Sequence, residues 1–156
     1  MEICNLLVHQ TPNHMNSQKF VIGTLAGGIT YFFLGYLIYG MALSSFYTQH
    51  SVAPAGSMKA MSEIVWWALI LGNLASGALL TYIFGKIGNI NSFGSGAKVG
   101  AGIGFFLSLG MDLVRYATEN SFDGTALFAD VIVGVVLSAI AGGVIGAVLG
   151  RGAKKV

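Results

Sequence analysis

Residues 126–150 read ALFADVIVGVVLSAIAGGVIGAVLG, an apolar stretch in which Asp130 is the one charged residue. A bilayer core of about 30 Å is crossed by about 20 helical residues, so this stretch is long enough to span a membrane. Steps of four from Asp130 pass through small residues only, namely Gly134, Ser138, Gly142, Gly146 and Gly150. Small residues at this spacing form one ridge of a helix and let a second helix approach closely. The stretch therefore predicts a transmembrane helix with a glycine-rich packing face.

Three further stretches, at 20–44, 64–85 and 97–117, are also apolar and long enough to span. Of the 156 residues 54% are hydrophobic and 9% are charged, against roughly 25% charged in an average soluble domain. This composition excludes a soluble globular domain, a disordered chain and a nucleic-acid-binding protein. We expect an all-α integral membrane bundle of four transmembrane helices over residues 19–156, surrounded by the lipid bilayer, and a disordered extension over residues 1–18.

The basic residues predict how the four spans are oriented, because Lys and Arg are retained on the cytoplasmic side. Lys59 and Arg115 fall on one side of the predicted spans. The other side holds Lys19, Lys86, Lys98, Arg151, Lys154 and Lys155. This distribution predicts a multi-pass protein of the inner membrane with both termini in the cytoplasm. Trp66 and Trp67, at the predicted outer end of the second span, are interpreted as interface anchors.

A second ridge of small residues follows the third span. Steps of four from Gly96 lead to Gly100, Gly104, Ser108, Asp112 and Tyr116. Since the third and fourth spans run in opposite directions, both ridges carry glycines inside, a serine near the middle and a carboxylate towards the outer face. The residues predicted to pack the two helices together are Gly96, Gly100, Gly104, Ser108, Gly134, Ser138, Gly142 and Gly146.

Ionisable residues inside membrane spans are costly and indicate function by default. Asp112, Arg115 and Asp130, with Tyr116 beside them, are therefore the candidate intramembrane polar site. In one interpretation the two carboxylates, each roughly 7 Å below the outer end of its span, bind a proton or another cation. In the other, Asp112 pairs with Arg115 at i,i+3 and Asp130 rests at the positive end of its helix, so that the charges only hold helices together.

Other kinds of chemistry have no support in the sequence. His9, His14 and His50 are not at metal-ligand spacing, so we expect three solvated histidines and no metal. The single cysteine, Cys4, excludes a disulfide framework. Nucleophile, zinc-protease and nucleotide-binding motifs are absent, so neither an enzyme nor a cofactor is predicted.

Four segments resemble a family of small bacterial inner-membrane proteins with four spans and no assigned activity. They are FFLGYLIYG at 32–40, LGNLASGALLTYIFGK at 71–86, DLVRYATEN at 112–120 and GGVIGAVLG at 142–150. The resemblance implies the four-span architecture and no catalytic residue. The small-residue ridges favour a helix-packing or interaction module, with a second copy or another membrane protein as partner. The alternative is a small oligomeric transporter or channel with a cation or proton site at Asp112 and Asp130.

Overall fold

The structure, a computed structural model, describes residues 15–53, 59, 61–120 and 123–151. Within this part of the chain four helices are long and apolar enough to cross a membrane, which confirms the prediction of an all-helical fold with four helices of spanning length. The elements in chain order are α1 (Ser17–Gly35), which continues as a π-helical segment (Tyr36–Ala42), α2 (Ser44–Gln49), a 3₁₀ turn (Met61–Glu63), α3 (Trp66–Ile87), α4 (Phe93–Thr118) and α5 (Gly124–Arg151).

Capping side chains explain why two helices begin earlier than their apolar residues suggest. The Asn16 side chain accepts a hydrogen bond from the Gln18 N–H at 3.2 Å, so α1 begins at Ser17 rather than at residue 20. Ser92 and Ser95 form a capping box, each side chain accepting the other residue's N–H at 3.2 Å. The helix α4 therefore begins at Phe93, before the predicted start at 97. Residues 1–14 of the predicted extension and residues 152–156 of the predicted domain lie outside the described residues.

The four long helices form two antiparallel pairs. The helix α1 packs against α3, α4 packs against α5, and a contact between α1 and α5 joins the pairs. The helix α5 is the most buried of the four. One end of the bundle holds Asp112 and Asp130 and is called the acidic end below. The opposite end, called the basic end, holds Lys86 and Arg151.

The α4–α5 pair is held at backbone contact by glycines. A Cβ atom added at Gly96 would collide with the carbonyl oxygen of Gly142, and one added at Gly100 would collide with the carbonyl oxygen of Ser138. In the opposite direction, a Cβ atom at Gly142 would lie 3.0 Å from the Cα atom of Gly100. Such proximity maximises van der Waals contact, which substitutes for the hydrophobic effect between helices in lipid.

The α1–α3 pair is equally close only in its basic half. A Cβ atom at Gly77 would lie 2.6 Å from the carbonyl oxygen of Thr24, and one at Gly27 would lie 3.1 Å from the Cα atom of Gly77. Towards the acidic end, a Cβ atom added at Gly35 of α1 would have no described atom within 4 Å apart from those of its own stretch of helix. The two helices therefore diverge, and an open cavity of about 610 Å³ lies between them.

Candidate functional site: a carboxylate pair and two tyrosines

The structure brings the two intramembrane aspartates together at the acidic end. Asp112 of α4 and Asp130 of α5 line a cavity of about 20 Å³, together with Arg115, Tyr116 and Glu119. A volume of about 20 Å³ has room for about one water-sized guest. The four side chains proposed from the sequence as a polar site thus line one small cavity.

Asp112 is the more deeply enclosed of the two aspartates. The residue is 8% exposed, and its Oδ2 atom has no hydrogen-bond partner among the residues that the structure describes. A buried carboxylate oxygen without a partner is costly, because it has lost its water and gained nothing in exchange. This oxygen can accept a hydrogen bond from a positively charged or hydrogen-bond-donating guest, and the residue that carries it lines the cavity.

Asp130 is held by two tyrosines that the sequence analysis did not place in the site. The hydroxyl of Tyr39 donates to Asp130 Oδ1 at 2.7 Å, and the hydroxyl of Tyr47 donates to the same atom at 2.9 Å. Both donors orient Asp130 and partly compensate its charge. Because Oδ1 is engaged by both tyrosines, Oδ2 is the Asp130 oxygen available to a guest.

The π-helical segment and α2 explain how both tyrosines reach one oxygen atom. The π-helix is closed by a hydrogen bond from the Leu43 N–H to the Ile38 carbonyl oxygen at 2.7 Å, and it carries Tyr39. π-helical turns within α-helices are rare and frequent at functional sites. The short α2 then folds Tyr47 back, so that the Tyr39 and Tyr47 rings pack with centroids 5.4 Å apart. The 3.6-residue periodicity of an α-helix predicts neither the π-helical segment nor the position of Tyr47 on α2.

A pair of contacts fastens α2 to the beginning of α5. His50 Nδ1 lies 2.7 Å from Asp123 Oδ2, and the Asp123 N–H donates to the His50 carbonyl oxygen at 3.2 Å. The second carboxylate oxygen of Asp123 accepts the Ala126 N–H at 2.9 Å and so caps α5. These hydrogen bonds, that of His50 first, lower the pKa of Asp123 below its ordinary value. The prediction that His50 is merely solvated was wrong, while His9 and His14 lie outside the described residues.

The electrostatics of the cavity favour a positive guest. Arg115 Nε lies 3.8 Å from Oε2 of Glu119, the residue that follows α4. Both of these residues line the cavity beside Asp112 and Asp130, so that three carboxylates and one guanidinium group border it. Like charges repel strongly where water is scarce. A proton or a small cation between Asp112 and Asp130 would relieve that repulsion.

The remaining residues singled out from the sequence are distributed between this cavity, the α4–α5 contact and the beginning of α3. Tyr116 lines the cavity with a largely exposed side chain. Ser138 accepts a hydrogen bond from the Tyr31 hydroxyl at 2.8 Å, and Ser108 is in contact with Gly134. Trp66 and Trp67 stand exposed at the beginning of α3.

Comparison of the chain with family models, with curated proteins and with solved structures finds no match. The resemblance to a four-span bacterial family therefore stays a prediction. A helical bundle supports many activities, so any functional conclusion has to rest on the geometry of the site itself.

Proposed function

We propose that the protein moves a proton or a small monovalent cation across the membrane, with Asp112 and Asp130 as the binding site. The observation that carries this proposal is the Oδ2 atom of Asp112, which is buried beside a second carboxylate and has no hydrogen-bond partner among the described residues. A pair of aspartates serving only to hold helices together would be expected to have its buried oxygen atoms bonded. Ionisable side chains that face a cavity between transmembrane helices are typical of ion and proton pathways.

The proposed orientation places the acidic end at the outer face of the inner membrane and both termini in the cytoplasm. The support for it is the distribution of Lys and Arg along the sequence. The site would then open outward, and α2 would lie over it, tied to α5 through His50 and Asp123. Since four helices enclose little volume, we propose that transport requires an oligomer.

Flux through reconstituted liposomes tests this function. Purified protein is incorporated into vesicles with a trapped pH-sensitive dye, and a membrane potential is imposed with potassium and valinomycin. We expect Asp112→Asn and Asp130→Asn each to lower proton flux by roughly tenfold or more, because each variant loses a charged contact worth about 1.5–3 kcal/mol. Glu63→Gln, which removes an exposed carboxylate before α3, is the matched control.

A sodium gradient in the same vesicles separates the two classes of guest. Sodium-dependent flux that disappears in Asp112→Asn would assign a monovalent cation, and flux of protons alone would assign a proton. Folded Asp112→Asn and Asp130→Asn variants that transport as well as Glu63→Gln would contradict the proposal. Folding is checked by size-exclusion elution and by the melting temperature in detergent.

A helix-interaction module is the second candidate, and one observation favours it. The α4 ridge of Gly96, Gly100 and Gly104 is packed against α5 and is therefore not available to another helix. Elsewhere on α4, however, Gly102 has open space around it. A small residue on an open helix surface is suited to contact with a second helix from another copy or another membrane protein. Gly102→Leu would break such an assembly, as measured by cross-linking in native membranes, and an unchanged cross-linking pattern would argue against it.

A further inference from the structure

The cavity between α1 and α3 is a second feature of the molecule, lined by neither carboxylate although Tyr39 borders it and also contacts Asp130. Its volume of about 610 Å³ lies within the range of about 300–1,000 Å³ that is usual for small-molecule sites. We propose that it binds a single acyl chain with an anionic head group, such as a long-chain carboxylate, taken from the surrounding bilayer. This binding goes beyond the proposed transport function and does not depend on it.

The lining of the cavity selects an apolar chain. The rings of Phe32, Tyr36 and Trp66 and the side chains of Leu69 and Leu137 form much of its wall. Such a surface offers dispersion contacts and little competition from hydrogen bonding. A flexible hydrocarbon chain fits these walls better than a polar solute does, because it leaves no polar group of its own unsatisfied.

Two of the tyrosines that line the cavity have hydroxyl groups engaged elsewhere in the protein, so they contribute mainly their rings to its wall. The Tyr31 hydroxyl donates to Ser138 and the Tyr39 hydroxyl donates to Asp130. Asn73 also lines the cavity, and its side-chain nitrogen donates to the Leu69 carbonyl oxygen at 2.7 Å. Engagement of these polar groups within the protein keeps the interior of the cavity apolar.

The charge at the cavity selects an anionic head group. Lys59 lines the cavity, and no carboxylate is among the described residues that line it. Lys59 precedes α3, whose first residue is Trp66, so the ammonium group belongs to the end of the cavity at the membrane surface. An anionic head group would meet Lys59 there while its chain extends between α1 and α3. A cationic amphiphile would meet the repulsion of the same lysine.

Two tryptophans make this binding measurable, because they are the only two in the chain. Trp66 lines the cavity, whereas Trp67 is 68% exposed and is not among the lining residues. The probe is stearate brominated at mid-chain, since bromine quenches indole fluorescence at short range. In detergent, Trp67→Phe leaves Trp66 as the reporter and Trp66→Phe leaves Trp67. We expect saturable quenching of Trp66 that unbrominated stearate relieves, and weaker quenching of Trp67 without saturation.

Lys59 provides the test of head-group charge. Lys59→Gln in the Trp67→Phe background is expected to raise the half-quenching concentration of the brominated carboxylate by about fivefold, the equivalent of about 1 kcal/mol for a partly exposed ion pair. The brominated methyl ester should bind both proteins equally. Lys86→Gln, at the opposite end of α3, is the matched control and should change nothing. Equal, unsaturable quenching of both tryptophans, or an unchanged half-quenching concentration in Lys59→Gln, would overturn the proposal.

Discussion

The hydroxyl group of Tyr47 donates a hydrogen bond to Asp130 Oδ1 at 2.9 Å, although 83 residues separate the two in the chain. This contact connects α2 to the carboxylate pair. Asp130 belongs to a helix that is long and apolar enough to span a membrane, whereas Tyr47 belongs to a short helix outside the four candidate spans. The carboxylate pair is therefore completed by a residue that is not itself in the membrane helices, and burial beside Asp130 raises the pKa of Tyr47 above its ordinary value.

The two tyrosine donors should contribute measurably to stability. Tyr47→Phe removes one hydrogen bond to Asp130 and keeps the ring, so we expect a loss of about 1–2 kcal/mol. Tyr39→Phe should behave alike. The melting temperature in detergent is the measurement. Tyr82→Phe, which alters an exposed ring near Lys86, is the control. If Tyr47→Phe melts at the same temperature as the control, the hydrogen bond to Asp130 contributes nothing to stability.

The glycine contact between α4 and α5 predicts opposite results for two neighbouring substitutions. In Gly100→Ala the new methyl group meets the carbonyl oxygen of Ser138, so we expect destabilisation by about 1–3 kcal/mol. In Gly102→Ala the methyl group enters open space, and the better helix propensity of Ala should leave stability unchanged or raise it by up to about 1 kcal/mol. Thermal unfolding in detergent distinguishes the two. A similar melting temperature for both variants would contradict the backbone contact between Gly100 and Ser138.

The His50–Asp123 pair should make stability depend on pH in the acid range. The pKa of Asp123 is lower in the folded protein than its ordinary value of 3.8. The pair therefore contributes stability above that ordinary value and loses it as the pH falls through the lower, folded pKa. Asp123→Asn keeps an N-capping side chain for α5 but not the charge. We expect the melting temperature of the wild type to fall more steeply with acidification than that of Asp123→Asn. Parallel curves would show that the charge of Asp123 does not stabilise the fold.

The orientation in the membrane can be measured by cysteine labelling. In a Cys4→Ser background, Glu119→Cys places an exposed thiol at the acidic end and Lys86→Cys places one at the basic end. If basic residues stay in the cytoplasm, an impermeant maleimide added to intact cells will label Glu119→Cys, whereas Lys86→Cys will react only after lysis. The reverse labelling would place both termini outside.

The long helices could be predicted from the sequence because their signal is local. An apolar run of about 20 residues is sufficient to identify a spanning helix, and the structure has four such helices among its described residues. The spacing of Gly96, Gly100 and Gly104 is local as well, since residues four apart lie on one ridge wherever the helix packs. The equal depth of Asp112 and Asp130 follows from counting along two such helices.

The remainder of the site depends on contacts between residues far apart in the chain, which the periodicity of the sequence does not predict. Tyr39 reaches Asp130 from a π-helical segment, in which the number of residues per turn departs from 3.6. Tyr47 reaches Asp130 because α2 folds back, and His50 meets Asp123 across 73 positions of the chain. Each of these contacts joins a residue of the first half of the chain to α5 or its cap. A sequence of this kind reveals the carboxylates but not the residues that hold them.

The packing of α4 against α5 also limits how the molecule can change shape. Carbonyl oxygens of Gly142 and Ser138 occupy the positions where a Cβ atom on Gly96 or Gly100 would stand, so the two helix backbones are in direct contact, and a rotation that brought a larger residue to the contact would cause a collision. We therefore expect the α4–α5 pair, which carries Asp112 and Asp130, to move less than the π-helical segment and α2. We expect amide hydrogen exchange to be faster over residues 36–50 than over residues 96–108, and faster still when the His50–Asp123 fastening is removed.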